Sequence, residues 1–595
     1  MAGLIGHAPI YFNGIMALLF VFVFPGLVFV RALAISNFPQ RWFVVFLSSL
    51  VANHLLVTLI AALHLDPLQT YRAATVVLIV VQILLVMKGR ARSDSLACRG
   101  AATILLSDLC WLVFSLIFLG FTYINVWKHG VPNIFEGGDV SVTWNTWALI
   151  WSQGHFPTSS LGYPQFVPTI WAVTYIFTGS TQQYFAFYVY IFWIVVPIVL
   201  NAMSLGRLNW WQPLAPGLAF IWLIVEIRDP WLKSALPQGY PDWVATIFTF
   251  CGVVLFVAST PKDRFDSERI TAALISLCLV SIAAAIKPQY GLFTAVVFIA
   301  MCTDAAKYLQ PRERTRLTIV AVGLVSVFAA AYAANYLHLT ITRIPDHSLP
   351  IADRLSRALM LFNTNFSLPF RVLVLAGVAL SPFVARVRWL ALPLVVGVSS
   401  WALMLSYDLR NLLGFLLISA FIPLFALVRS LAQATNLSSE RRWSVPDGAV
   451  ACGLAVLVFG LTSSLAQGDK ALEQRFATEQ LTKGAGLEIN QKIDELVRAG
   501  CTIFNADSYL PTISAFERFQ DKIIFFFSTL PLNDGLINEV NQTSGCTGFF
   551  YPPDHTHPSI LDFISATAKA RSYTRLIEGH GMELLVSDAI PHGPR

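Results

Sequence analysis

The chain has 595 residues, 56% of them hydrophobic and only 12% charged, about half the charged share of an ordinary soluble domain. That balance excludes a soluble enzyme, a disordered scaffold and a nucleic-acid binder. The net charge of +6, from 40 Lys and Arg against 34 Asp and Glu, is small, and in a membrane protein it reflects basic cytoplasmic loops before any acidic partner.

Apolar runs recur from residue 9 to residue 466, each near the ~20 residues that cross ~30 Å of hydrocarbon. Met1 to His7 carries no basic n-region, and the first run, about Pro9 to Ile35, exceeds a cleavable signal core. It is expected to be a retained helix. Runs near 41–64, 72–88, 102–127, 182–203, 213–226, 243–259, 270–286, 289–303, 317–337, 368–385, 389–406, 412–428 and 447–466 bring the expected spans to about 14. Short loops rich in Lys and Arg should face the cytoplasm, and there are five: Lys88, Arg90, Arg92 and Arg99; Lys262, Arg264 and Arg269; Lys307, Arg312, Arg314 and Arg316; Arg386 and Arg388; Arg429, Arg441 and Arg442. One helix kinked at Pro288 would also fit 270–303. Both flanks of that segment are basic, however, so an even number of crossings is expected, with Lys287-Pro288-Gln289-Tyr290 turning on the outer side.

The same parity places residues 128–181, 227–242, 338–367 and the tail after Gln467 outside. The fold class expected is a polytopic α-helical membrane protein with a C-terminal soluble α/β domain. Residues 1–100 read as an N-terminal three-helix extension, 101–466 as the transmembrane core and 467–595 as the outer domain. In that domain Gly486 to Gly500 reads as an amphipathic helix, and Cys501 to Phe504, Lys522 to Phe527 and Met582 to Val586 as strands. Cys501 and Cys546 are the only cysteines expected outside, so they are the disulfide candidates if their Cα atoms approach within about 7 Å; two buried thiols are the alternative. Asp554, His555 and His557 in a Pro-bounded stretch read as a surface loop, since no further metal ligands are evident.

The most informative chemistry lies in the first outer loop. Glu136-Gly-Gly-Asp139 places an acid beside two glycines that admit a substrate to the backbone, among Trp144, Trp147, Trp151 and Trp171, with Tyr163-Pro164-Gln165 further on. Partial burial would raise such a carboxylate toward working pH and suit it to be a general base. A helix cap is the plainer role for Asp139; the tryptophans serve either as sugar-stacking platforms or as interfacial anchors. Lys287 between two apolar runs, and Arg410 in Tyr407-Asp408-Leu409-Arg410-Asn411, put charge where it is costly and usually functional. A forked guanidinium and a point-charge ammonium together suit a lipid phosphate, while snorkelling of Lys287 and a salt bridge from Arg410 to Asp408 are the structural alternatives. Glu226-Ile-Arg228-Asp229 and Tyr240-Pro-Asp242 in the second outer loop, and Arg343, Asp346, His347, Asp353, Arg354 and Arg357 in the third, are candidate acceptor or lid contacts.

Taken in order, these motifs resemble the GT-C superfamily of integral-membrane glycosyltransferases over roughly residues 102–466. The motifs are the first-loop acid, Tyr163-Pro164 and Pro168, Gly239-Tyr240-Pro-Asp242, Lys287-Pro288 and Tyr407-Asp-Leu-Arg410-Asn411. The resemblance implies an enzyme of a bacterial inner membrane with its active site and C-terminal domain in the periplasm. It would transfer a sugar with inversion from a polyprenyl-phosphate donor to an envelope glycan, lipid or protein. Asp139 would then be the base, and Arg410 and Lys287 the donor-phosphate ligands. Glu136, Trp144, Tyr163, Gln165, Asp242, Tyr240, Asp408 and His347 would line the acceptor or sugar side. Many relatives pair two adjacent acids in the first loop, whereas here Gly138 precedes Asp139; no cofactor is called for and no divalent cation is indicated. A lipid or glycan flippase would show inverted repeats, which are not evident, and an en bloc glycan ligase or polymerase would need no first-loop base.

Overall fold

The computed structural model describes residues 2–33, 35, 37–91, 104–105, 108–113, 115, 135, 140–157, 162–179, 183–208, 212–227, 239–260, 265–339, 350–405, 408–434, 444–445, 487–506, 522–526, 528, 531–532, 534–579 and 582–587. Its helices are α1 (Ala2–Phe22), α2 (Phe24–Leu33), α3 (Phe38–Ala62), α4 (Pro67–Ala91), α5 (Thr146–Ser152), α6 (Phe166–Thr178), α7 (Tyr184–Leu208), α8 (Leu214–Glu226), α9 (Pro241–Ser259), α10 (Ser267–Ala284), α11 (Pro288–Ala306), α12 (Pro311–Tyr336), α13 (Ile351–Asn365), α14 (Leu368–Leu380), α15 (Ala391–Ser400) and α16 (Leu413–Ala434). Among the described residues, eight helical stretches are long and apolar enough to cross a membrane, and five shorter apolar helices accompany them. The chain is therefore a polytopic helical membrane protein. The expected spans near 102–127 and 447–466 lie outside the described residues, apart from 104–105, 108–113 and 115.

Burial sorts the helices. Every residue of α9 is buried, as befits a helix that is apolar all round, and it packs against α7, α10, α11 and α16. At the other extreme only 6% of the spanning window of α4 and 11% of that of α12 is buried, and their exposed Val76, Ile79, Ile83, Ile319, Val322 and Val325 present the surface that lipid would cover. Close crossings rest on small residues. A Cβ on Gly252 of α9 would sit 2.9 Å from the Ser276 carbonyl oxygen of α10, and one on Gly377 of α14 would strike the Ser419 carbonyl of α16.

Several elements differ from expectation. α6 falls inside the expected outer loop 128–181. At 13 residues it is about 20 Å long, too short to cross, yet all of it but Phe177 is buried, against α1, α3, α5 and α7. Polar residues on both sides of this short run conceal it in the sequence. α13 likewise lies inside the expected loop 338–367, with Ile351, Leu355, Leu359 and Met360 exposed on it. α1 and α3 pack on α6 and α7, and α3 also on α10. α10 and α11 run side by side with Lys287 at the apex, which is a hairpin and not one kinked helix. Trp151 and Trp171, considered as stacking platforms, are fully buried; the Trp171 ring lies against Phe135 at 4.2 Å.

The C-terminal region carries helices α17 (Leu487–Arg498), α18 (Asp534–Gln542) and α19 (Pro558–Ala570), and strands β1 (Thr502–Asn505), β2 (Ile523–Phe525), β3 (Thr547–Tyr551), β4 (Tyr573–Gly579) and β5 (Met582–Ser587). The sheet order is β2-β1-β3-β5-β4. β1 lies parallel to β2 and β3, while β5 runs antiparallel to β3 and β4. Cys501 and Cys546, just before β1 and β3, are joined as a disulfide with Cα atoms 4.5 Å apart. His557 accepts a hydrogen bond from the Ser559 amide and caps α19.

Candidate functional site

Pro241 opens α9 at a position where proline's fixed φ suits the first helical turn, which puts Asp242 there too. The α10–α11 hairpin returns the chain to the same end, and Lys287, just before α11, donates to Asp242 Oδ1 at 2.7 Å. A third stretch arrives from the 3₁₀ turn Leu409–Leu412, capped by Asp408, whose Oδ1 accepts from the Arg410 amide at 2.9 Å. The same carboxylate grips the Arg410 side chain, its Oδ2 lying 2.8 Å from Nε and 2.7 Å from Nη2. That orientation brings Nη1 to 3.9 Å from Asp242 Oδ2, and the guanidinium carbon lies 4.5 Å over the Tyr240 ring.

Lys287 and Arg410, assigned from sequence to one phosphate, thus meet at one carboxylate, with Asp242 1% exposed and each cation 7% exposed. Lys287 does not snorkel, and the salt bridge considered for Arg410 is present. Asp242, expected on the acceptor side, lies between the cations. Among the described residues, two carboxylates and two cations leave the cluster formally neutral, and Asp242 Oδ2 accepts no hydrogen bond.

The first-loop aromatics approach the same cluster. Tyr163 is within charge reach of Lys287, and its ring lies 5.7 Å from Trp144 and 5.9 Å from Trp147. Trp144 and Trp147 are themselves buried. Gln165 accepts from Trp151 Nε1 at 3.0 Å and donates to the Tyr163 carbonyl at 2.9 Å, so its amide braces the stretch that carries Tyr163. Glu136, Asp139 and His347 lie outside the described residues, as do Arg343 and Asp346. Phe135, one residue before Glu136, packs where a side chain on Gly239 would have to go. Gly239 has φ +92°, a conformation that suits glycine, so Phe135 packs directly against the turn before Tyr240.

Glu226 accepts from Trp222 Nε1 at 3.3 Å and from the Ser367 amide at 3.1 Å, a bridge between α8 and α14. Arg354 donates to the Leu403 carbonyl at 2.8 Å. Two residues with no role in the sequence reading belong to the cluster. Tyr290 donates to the Arg410 carbonyl at 2.8 Å and shares a 2.8 Å hydrogen bond with Thr246. The signal for both was helical spacing, since Thr246 is one turn beyond Asp242 and Tyr290 opens α11 beside Lys287. Among the described residues no group of three His, Cys, Asp or Glu is placed to hold a metal.

No protein-family description matches the sequence, and no curated protein matches it. Two solved structures resemble it. ArnT from Cupriavidus metallidurans in the apo state aligns with a TM-score of 0.46 at 12% identity, over 82% of this chain and 99% of that one. The same protein bound to undecaprenyl phosphate aligns with a TM-score of 0.45 at 11% identity, over 81% and 99% of the two chains.

Proposed function

We propose that the chain is an inverting membrane glycosyltransferase. It moves a sugar from a polyprenyl-phosphate donor to a glycan, lipid or protein of the envelope, at the periplasmic end of the helices. The observation that carries this reading is the convergence of Lys287 and Arg410, from separate helical stretches, on one buried seat beside Tyr163 and Tyr240.

The chemistry follows from charge. When the bond from sugar to phosphate breaks, negative charge grows on the departing phosphate, and fixed cations stabilise that charge more in the transition state than before it. A guanidinium offers five N–H donors and an ammonium three, so after pairing with their carboxylates both retain capacity for an anion. Asp139 takes the acceptor hydroxyl proton as the sugar is attacked, and holding both substrates at the membrane boundary supplies proximity. Tyr163, Tyr240, Trp144, Gln165, Asp408, Glu136 and His347 contact or shape the sugar and acceptor side in this reading.

The test is transfer by purified protein given radiolabelled polyprenyl-phosphate sugars. Wild type transfers; Asp139→Asn loses about 100-fold to 10,000-fold in rate, the usual worth of a general base, and Arg410→Ala loses donor affinity. Undiminished transfer by Asp139→Asn removes that residue from catalysis, and no transfer from any lipid-phosphate sugar by wild type removes the reading.

A further inference from the structure

A second cationic group lies at the opposite ends of the same helices. α9, of 19 residues, separates the two ends by about 28 Å, the thickness of a hydrocarbon core. There the first turn of α10 brings Arg269, the turn after α14 brings Arg386, and the last turns of α16 bring Arg429. All three are half-buried; α14, which Arg386 follows, packs along α16, whose last turns carry Arg429, and Arg386 lies within charge reach of both other arginines. Among the described residues, of the three only Arg269 has a carboxylate, Asp266 at 3.3 Å, and Asp266 is itself exposed. Asp304 at this end is taken by Lys307 at 2.9 Å, and Glu313 closes the cap of α12 on the Gln310 amide. Among the described residues no ion pair joins Arg386 or Arg429 to an acid, Glu268 included.

We propose that Arg386, Arg429 and Arg269 form a seat for the phosphate group of an anionic membrane phospholipid. This proposal is independent of the enzymatic reading. Like charges gathered at a half-buried site repel unless an anion joins them, and forked guanidinium groups match phosphate oxygens two at a time. Burial, then the charges of Arg429 and Arg269, pull the Arg386 pKa below the ordinary guanidinium range, which is the direction expected of a cation short of counter-charge.

The surroundings favour a lipid over a soluble phosphate. Phe383 (79% exposed) flanks Arg386, and Leu427 (56% exposed) flanks Arg429, so apolar surface for acyl chains adjoins the charge. Trp389 anchors the turn, donating to the Arg386 carbonyl at 3.1 Å and packing edge-on against Phe256. Basic clusters between helices on the cytoplasmic side are where anionic head groups bind.

The full chain in nanodiscs of phosphatidylcholine, with or without phosphatidylglycerol, provides the experiment. Wild type should unfold at a higher temperature with phosphatidylglycerol, and should retain it over phosphatidylcholine in native mass spectra. R386Q with R429Q should abolish the thermal gain and lower retention about 30-fold, as expected from removing two Arg from a membrane-surface anion site. An equal thermal gain in the double variant overturns the proposal, as does wild type without preference for phosphatidylglycerol. Inorganic phosphate added to phosphatidylcholine discs is the control: reproduction of the full gain overturns the lipid assignment, and no gain supports it. If the double variant does not fold, the wild-type retention and phosphate arms still decide.

Discussion

The two oxygens of Asp242 face two different cations, and this has a measurable consequence. Removing one partner of a buried pair leaves an uncompensated charge, at a cost of about 3–5 kcal/mol, whereas replacing both by apolar groups of similar size is often close to neutral. Lys287→Met is therefore expected to lower the unfolding temperature sharply, and Asp242→Leu with Lys287→Met to recover most of the loss while remaining inactive in transfer. A double variant as unstable as the single one would show that the uncompensated Asp242 charge is not the cause of the loss. Lys287 and Arg410 could be picked out in the sequence because charge among apolar residues stands out. Their shared partner could not, because Asp242 to Lys287 spans 45 positions and only the α9–α10–α11 path brings them together.

Among the elements, close helix crossings and the disulfide make the sharpest predictions. Gly252→Leu must push α9 from α10 against the Ser276 carbonyl; overpacking of this kind costs about 1–3 kcal/mol, to be read as a lower unfolding temperature. Replacing Cys501 and Cys546 by Ser releases a crosslink between residues 45 apart and is expected to destabilise the C-terminal sheet by about 2–4 kcal/mol, measured as faster hydrogen exchange of β3. Glu539 on α18 gives a pH signature. Burial raises its pKa above the ordinary 4.5, so the folded state holds the proton more tightly than the unfolded one, and stability is lost as pH rises through the raised value. Glu539→Gln should therefore slow exchange in β3 relative to wild type at pH 7, with the difference vanishing below about pH 4.5; a difference that persists at low pH would remove the charge as its cause. Most helices could be read directly, since a long apolar run has one stable form in lipid. α6 could not, because a 13-residue, largely apolar run between polar flanks suits a buried helix, a loop or a strand equally well.

For the whole molecule, the positions of the basic residues make one claim testable without chemistry. Arg269, Lys307, Arg386, Arg388 and Arg429 cluster at one end of the bundle, and the Asp242 site sits at the other. By the positive-inside rule the site is expected on the outer face, and the C-terminal domain is expected there too, because the apolar run 447–466 adds one more expected crossing after Arg429. Alkaline phosphatase fused after Arg595 should be active and green fluorescent protein fused there dark; the reverse pattern would turn the molecule over and move the proposed transfer to the cytoplasm.

Composition and hydropathy by themselves determined that this chain lives in a membrane, and they marked most of its helices and the positions of its basic loops. The lipid environment enforces these features residue by residue, without reference to distant parts of the chain. Tertiary structure decided which charges meet. Lys287 with Asp242, Arg410 with Asp408 and Tyr240, and Arg386 with Arg429 depend on helix crossings set by side-chain packing between elements far apart in sequence, and no local pattern carries that information.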